Sequence, residues 1–121
     1  MKSLLIVAHG SRREESNDEV RALTACLREQ SGDAYMQVEC AFLELAEPSI
    51  PDGIRNAIRA GAEQVTVVPY FLSAGRHVVT DIPTEVDSVR KESPDVKIVL
   101  APYLGAAPGL TDMLLLQAQK I

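Results

Sequence analysis

Hydrophobic and polar residues change their spacing along the chain, and the change repeats. Residues 3–8, SLLIVA, are an unbroken aliphatic run, the mark of a strand covered on both faces. Charge follows at once. Val20, Leu23, Cys26 and Leu27 then recur at helical spacing, which predicts a helix from about Arg12 to Glu29. Ser11 and Glu14 stand at capping-box spacing at its start, and Gly32 stops it. Residues 35–43, YMQVECAFL, read as a second strand. Ser49 then caps a second helix, with Ile50, Ile54, Ala57 and Ile58 inward and Gly61 at its end. Residues 64–70, QVTVVPY, are rich in β-branched side chains and predict a third strand. A third helix carries Ile82, Val86 and Val89 until Pro94. Residues 96–103, VKIVLAPY, form a fourth strand, and a last helix carries Leu110, Met113, Leu114 and Gln117 to the chain end.

Strands alternating with helices predict an α/β fold: a four-stranded, mostly parallel sheet with helices on both faces, in three layers. Right-handed crossovers make it a half-size doubly wound structure. No linker or low-complexity segment interrupts the pattern, so residues 1–121 read as a single domain.

Composition narrows the function. The chain is 46% hydrophobic and 24% charged with a net charge of −5, which fits an ordered domain and argues against a general nucleic-acid binder. A local basic pocket for an acidic small molecule stays compatible with that charge. Cys26 and Cys40 have no metal-like spacing and are expected to be two buried thiols in a reducing compartment. No apolar run is long enough to cross a membrane. The opening MKSLLIVAHGS is too short for a signal peptide and lacks a cleavage site. A cytoplasmic protein is expected.

In open parallel sheets, ligands bind beyond the carboxyl ends of the strands. Four loops meet that description: His9-Gly10-Ser11-Arg12, the segment holding Glu44 and Glu47, Phe71 through His77, and Gly105-Ala106-Ala107. The chain has two histidines, and both map to this edge. Neutral imidazole binds divalent first-row metals and also serves as a base near neutral pH. Two imidazoles leave coordination positions open, as a transient or catalytic metal requires, whereas structural zinc takes a closed set. Gly10 and Gly75 allow a ligand close to the backbone, and Ser11 and Ser73 offer hydrogen bonds. Arg12, Arg13 and Arg76 suit carboxylates or phosphates and point to an anionic ligand. Cations in the first turn of a helix oppose its dipole, which favours an external partner for Arg12 and Arg13. Glu44 and Glu47 each suit either proton transfer or contact with water.

Three segments, LLIVAHGSR, CAFLELAEPSI and VTVVPYFLSAGRHVVTDIP, resemble the CbiX/SirB-type sirohydrochlorin chelatases, in order and over nearly the whole chain. The third is the most specific, with Pro-Tyr-Phe-Leu, then Gly-x-His, then Asp-Ile-Pro. The resemblance implies one chelatase-like half-domain of the class II chelatase fold. It implies insertion of a divalent metal (cobalt first, iron or nickel next) into sirohydrochlorin, a tetrapyrrole rimmed with carboxylates, on the way to cobalamin, siroheme or a nickel coenzyme. The metal is then substrate, with no tightly bound cofactor. Metal-binding and catalytic roles carry over to His9 and His77. Glu44 would aid proton acceptance, and Gly10, Ser11, Arg12, Ser73, Gly75 and Arg76 would hold the macrocycle. The length matches one of the two halves of longer relatives, which implies the short form that works as a homodimer, with no nucleic-acid or membrane partner. The histidine-rich segment and iron–sulfur site of some relatives have no counterpart here. Two rivals stand beside this reading. One is a carrier that binds metal or tetrapyrrole without joining them. The other is a histidine phosphatase, in which Ala8 would occupy the place of the phosphate-clamping arginine.

Overall fold

The computed structural model describes residues 1–120; Ile121, the end of the expected last helix, lies outside the described residues. The strands are β1 (Lys2–Ala8), β2 (Gln37–Phe42), β3 (Gln64–Pro69) and β4 (Lys97–Leu100). They form one sheet in the order β2-β1-β3-β4, every pair parallel. The helices are α1 (Glu14–Ser31), α2 (Ile50–Arg59), α3 (Ile82–Glu92) and α4 (Leu110–Ala118). A π turn (His77–Asp81) leads into α3, and a 3₁₀ turn (Leu104–Ala106) precedes α4. The second, third and fourth strands are shorter than expected. β3 stops at Pro69 and β4 before Pro102, because proline has no N–H to continue a ladder.

The unbroken apolar run of β1 follows from its place inside the sheet. Leu5 and Val7 face one side, where they pack with Ala41, Val65 and Val67 under Ile50, Ile54, Ile82 and Val86 of α2 and α3. Gly53 lets α2 come close: a Cβ there would lie 2.9 Å from the Ala41 Cβ. On the opposite side, Ala8 and Phe42 pack with Val20 of α1. Fully burying a Leu, Ile or Phe side chain is worth roughly 1.5–3 kcal/mol, so the first cluster supplies most of the cohesion.

Two expectations are corrected. The helix does not begin at Arg12 through a Ser11–Glu14 capping box. Gly10, at φ +91°, turns the chain, and α1 starts at Glu14 with no side-chain cap. Cys26 is exposed and Cys40 only half-buried, since Cys26 points away from the stripe that covers the sheet. The apolar side chains of α4 are largely exposed: Leu114, Leu115 and Leu116 are 61%, 63% and 58% exposed. No helix among the described residues is long and apolar enough to cross a membrane.

Candidate active site

The chain runs from β1 outward to β2, crosses back over β1 to β3, and continues to β4. The direction of winding therefore reverses between β1 and β3, and such a switch point opens a crevice at the strands' carboxyl ends. His9 leaves the end of β1. His77 opens the π turn after β3. The two strands are paired from Lys2–Gln64 to Val7–Pro69, and the Tyr70 N–H still donates to the Val7 carbonyl at 2.7 Å beyond them. The loops thus emerge side by side. The two imidazole centroids lie 4.8 Å apart with planes at 66°, and the Phe71 ring stands 6.4 Å from His77.

Hydrogen bonding fixes which nitrogen of each ring is available. His9 Nδ1 lies 2.9 Å from the Gly10 carbonyl oxygen, which can only accept. His77 Nδ1 lies 2.8 Å from Asp81 Oδ2, a carboxylate that likewise accepts. Both acceptors favour the neutral tautomer with the proton on Nδ1, in which the Nε2 lone pair is free. Among the described residues no group of three or more His, Cys, Asp and Glu side chains is arranged to hold a metal ion.

The π turn has a local cause. Pro83 cannot donate to the carbonyl four residues back, and its ring would crowd that carbonyl. The turn before it widens, and the Ile82 N–H donates instead to the His77 carbonyl, five residues back. Widened turns of this kind recur at functional sites.

Glu44 follows β2. Its N–H donates to the His9 carbonyl at 3.0 Å, and Leu43 N–H to Ala8 at 2.8 Å, so the Glu44 backbone is laced to the histidine loop. Gly10 makes this approach possible: a Cβ there would lie 1.7 Å from the Glu44 carbonyl oxygen. The room left by Gly10 is thus filled by the chain itself. The exposed Glu44 side chain borders a shallow groove with Leu43, Thr80, Asp81, Thr84 and Glu85. Glu85 Oε2 is buried there without a hydrogen-bond partner. Burial, and then the charge of Asp81, raise the Glu85 carboxyl above the usual range.

Ser11 sits in the loop, not at a helix cap. Asn17, buried on α1, brackets it: the Ser11 N–H donates to Asn17 Oδ1 and Asn17 Nδ2 donates to the Ser11 carbonyl, both at 2.9 Å. The sequence reading missed Asn17, because a polar residue one turn into a helix gives no signal until its loop partner is known. Arg12, Ser73, Gly75 and Arg76 are exposed around the histidine edge, and no ion pair engages Arg12 or Arg76 among the described residues. Arg13 is instead paired with Glu15 at 2.9 Å. Glu47 borders a separate depression beside Asp52, Asn56 and Arg59 of α2. Asp81, the partner of His77, also went unread.

The CbiX family model matches residues 3–121. The chain belongs to the CbiX family. It is 40% identical over 110 residues to the chloroplastic sirohydrochlorin ferrochelatase of Arabidopsis thaliana, covering 91% of this chain and 48% of that protein. It is 31% identical over 120 residues to the sirohydrochlorin cobaltochelatase of Sulfolobus acidocaldarius, covering 99% of this chain and 92% of the archaeal one. Its fold superposes on the sirohydrochlorin chelatase SirB of Bacillus subtilis subspecies spizizenii, solved in complex with cobalt, with a TM-score of 0.86 at 26% identity, over 99% of this chain and 50% of that one. The CbiX chain described here thus spans about half the length of the plant and bacterial relatives. The expected fold, a four-stranded parallel sheet in a chelatase-type α/β architecture, is the observed one.

Proposed function

We propose that this chain is a sirohydrochlorin chelatase that inserts a divalent metal, cobalt first and iron or nickel next, into its tetrapyrrole substrate. The observation that carries the reading is the imidazole pair, 4.8 Å between centroids, with each Nδ1 set against an oxygen acceptor. Two neutral nitrogen donors suit a divalent first-row ion. They leave most of its coordination sphere for water and for the incoming pyrrole nitrogens, so the ion is held without being trapped. Insertion replaces two pyrrole protons by one metal ion. As the metal passes to the macrocycle, an Nε2 lone pair becomes free to take a proton. Glu44, bordering the groove, would pass protons toward water. The guanidiniums of Arg12 and Arg76, which make no ion pair among the described residues, with Ser11, Ser73 and the backbone at Gly75, would meet the peripheral carboxylates by charge-assisted hydrogen bonds.

We further propose that the working unit is a homodimer. Supporting this are two apolar surfaces left exposed among the described residues. One is α4. The other is the sheet face beside α1, where Leu4, Ile6, Leu27, Val68, Tyr70 and Leu104 line a hollow with no polar lining. Contiguous exposed apolar surfaces are where a partner chain would be expected to pack.

The test is stopped-flow absorbance of sirohydrochlorin mixed with Co(II), Fe(II) or Ni(II), with and without the protein. Acceleration over the spontaneous rate with at least one metal is expected. No acceleration with any of the three would overturn the reading and leave the carrier alternative.

A further inference from the structure

His9 and His77 reach the same tautomer by different means. His9 is held by a main-chain carbonyl, which no side-chain change removes. His77 is held by a side chain, Asp81. We propose that Asp81 is a positioning residue that keeps the proton of His77 on Nδ1 and so leaves the Nε2 lone pair free for metal or proton. The proposal deepens the chelatase reading and rests on it for its kinetic arm alone.

The geometry sets Asp81 apart from an ordinary helix-start acid. Asp81 occupies the N-cap position of α3, yet its backbone is already helical, at φ −69° and ψ −47°, and its side chain makes no capping bond. The carboxylate is therefore not engaged in holding the helix end. Its hydrogen-bond partner among the described residues is the His77 ring. Both side chains are partly shielded, His77 at 43% and Asp81 at 33% exposure, so the bond competes less with water than one on an open helix face. Ligating histidines commonly donate their other ring N–H to a carboxylate, which orients the ring and raises its basicity.

A carboxylate can only accept, so it selects the Nδ1–H form. An amide in its place can also donate, and then selects the Nε2–H form, which closes the lone pair the site needs. Asp81→Asn is therefore the decisive variant: nearly the same shape, opposite tautomer. Asp81→Glu keeps an acceptor on a longer stem.

The experiment uses the full-length ¹⁵N-labelled protein at about pH 8, where an ordinary imidazole is neutral. Long-range ¹H–¹⁵N spectra read both histidine tautomers, with His77→Ala assigning the signals. The expected result is Nδ1–H for His77 in the wild type and in Asp81→Glu, and a shift to Nε2–H in Asp81→Asn. His9 should stay Nδ1–H in all three. In parallel, Co(II) insertion into sirohydrochlorin should lose about 10–100-fold in kcat in Asp81→Asn, with KM for sirohydrochlorin little changed and part of the rate restored in Asp81→Glu. An unchanged His77 tautomer in Asp81→Asn, a simultaneous change at His9, or a wild-type kcat would overturn the assignment. A tautomer switch in a protein that never inserted metal would leave the positioning role standing and remove the chelatase reading instead.

Discussion

At the residue scale, each imidazole sits half-buried at the carboxyl edge of the sheet with its Nδ1 against an acceptor. Neither ring belongs to the buried clusters that hold the sheet. His9→Ala and His77→Ala should therefore each lower metal insertion by roughly 100-fold or more, the range seen when a general base or key donor is lost, while the melting temperature moves little. Wild-type turnover in both variants would dismiss the pair as the site. Gly10 carries a different load. Its φ of +91° and the 1.7 Å approach of a built Cβ to the Glu44 carbonyl oxygen leave no space for a side chain against rigid backbone. Gly10→Ala should cost roughly 2–4 kcal/mol, read as a lower urea midpoint, and should slow turnover by parting Glu44 from the His9 loop. An unshifted midpoint would show that the loop adapts freely.

At the scale of elements, charged side chains finish what backbone pairing leaves open. β2 and β4 are the sheet edges, and an edge strand exposes unpaired carbonyls. Arg28 of α1 donates to the Val38 carbonyl at 2.7 Å and Arg90 of α3 to the Ile98 carbonyl at 2.8 Å, one clasp on each edge. The acids respond to pH in opposite senses. Arg21 and Asn17 lower Glu14, and Arg55 lowers Glu92. Their stabilising effect is present above the ordinary Glu range and fades as pH falls through their lowered values. Glu85 is raised. Just above the ordinary Glu range the folded state holds more protons at Glu85 than the unfolded state. Its effect on stability therefore falls as pH rises through that window and stays unfavourable above the raised value. Glu85→Gln should thus stabilise the protein more, relative to wild type, at pH 7 than at pH 4. Thermal melts at both values check this, and a larger gain at pH 4 would contradict the assigned burial.

At the scale of the molecule, α2 and α3 pack over one sheet face, whereas α1 leaves an apolar hollow open on the other. The apolar hollow at Leu4, Ile6, Val68 and Tyr70 and the leucines of α4 are surfaces that water does not favour. If two copies bury them, the mass in solution should be about twice the 13.1 kDa of one chain. Leu114→Glu combined with Leu116→Glu should return it to a single-chain mass, measured by light scattering after size exclusion. A wild-type monomer with full chelatase activity would refute the paired unit.

Much of this architecture was legible from residue order alone. The period of apolar residues determined four strands and four helices in the right sequence, since a strand buried on both faces must be aliphatic throughout and a covering helix must repeat near every third or fourth residue. Strand-end placement likewise singled out His9 and His77. The start of α1 was misread, because a capping box is a local signal and the turn at Gly10 is made against Glu44, far along the chain. The exposure of Cys26, the bracket formed by Asn17, the π turn before Pro83 and the Asp81 contact were decided by packing. So was the meeting of the histidines. Both lie after strands, but only the order β2-β1-β3-β4 makes β1 and β3 neighbours, and strand order comes from which crossovers bury the most apolar surface, a sum over the whole chain that no short segment contains.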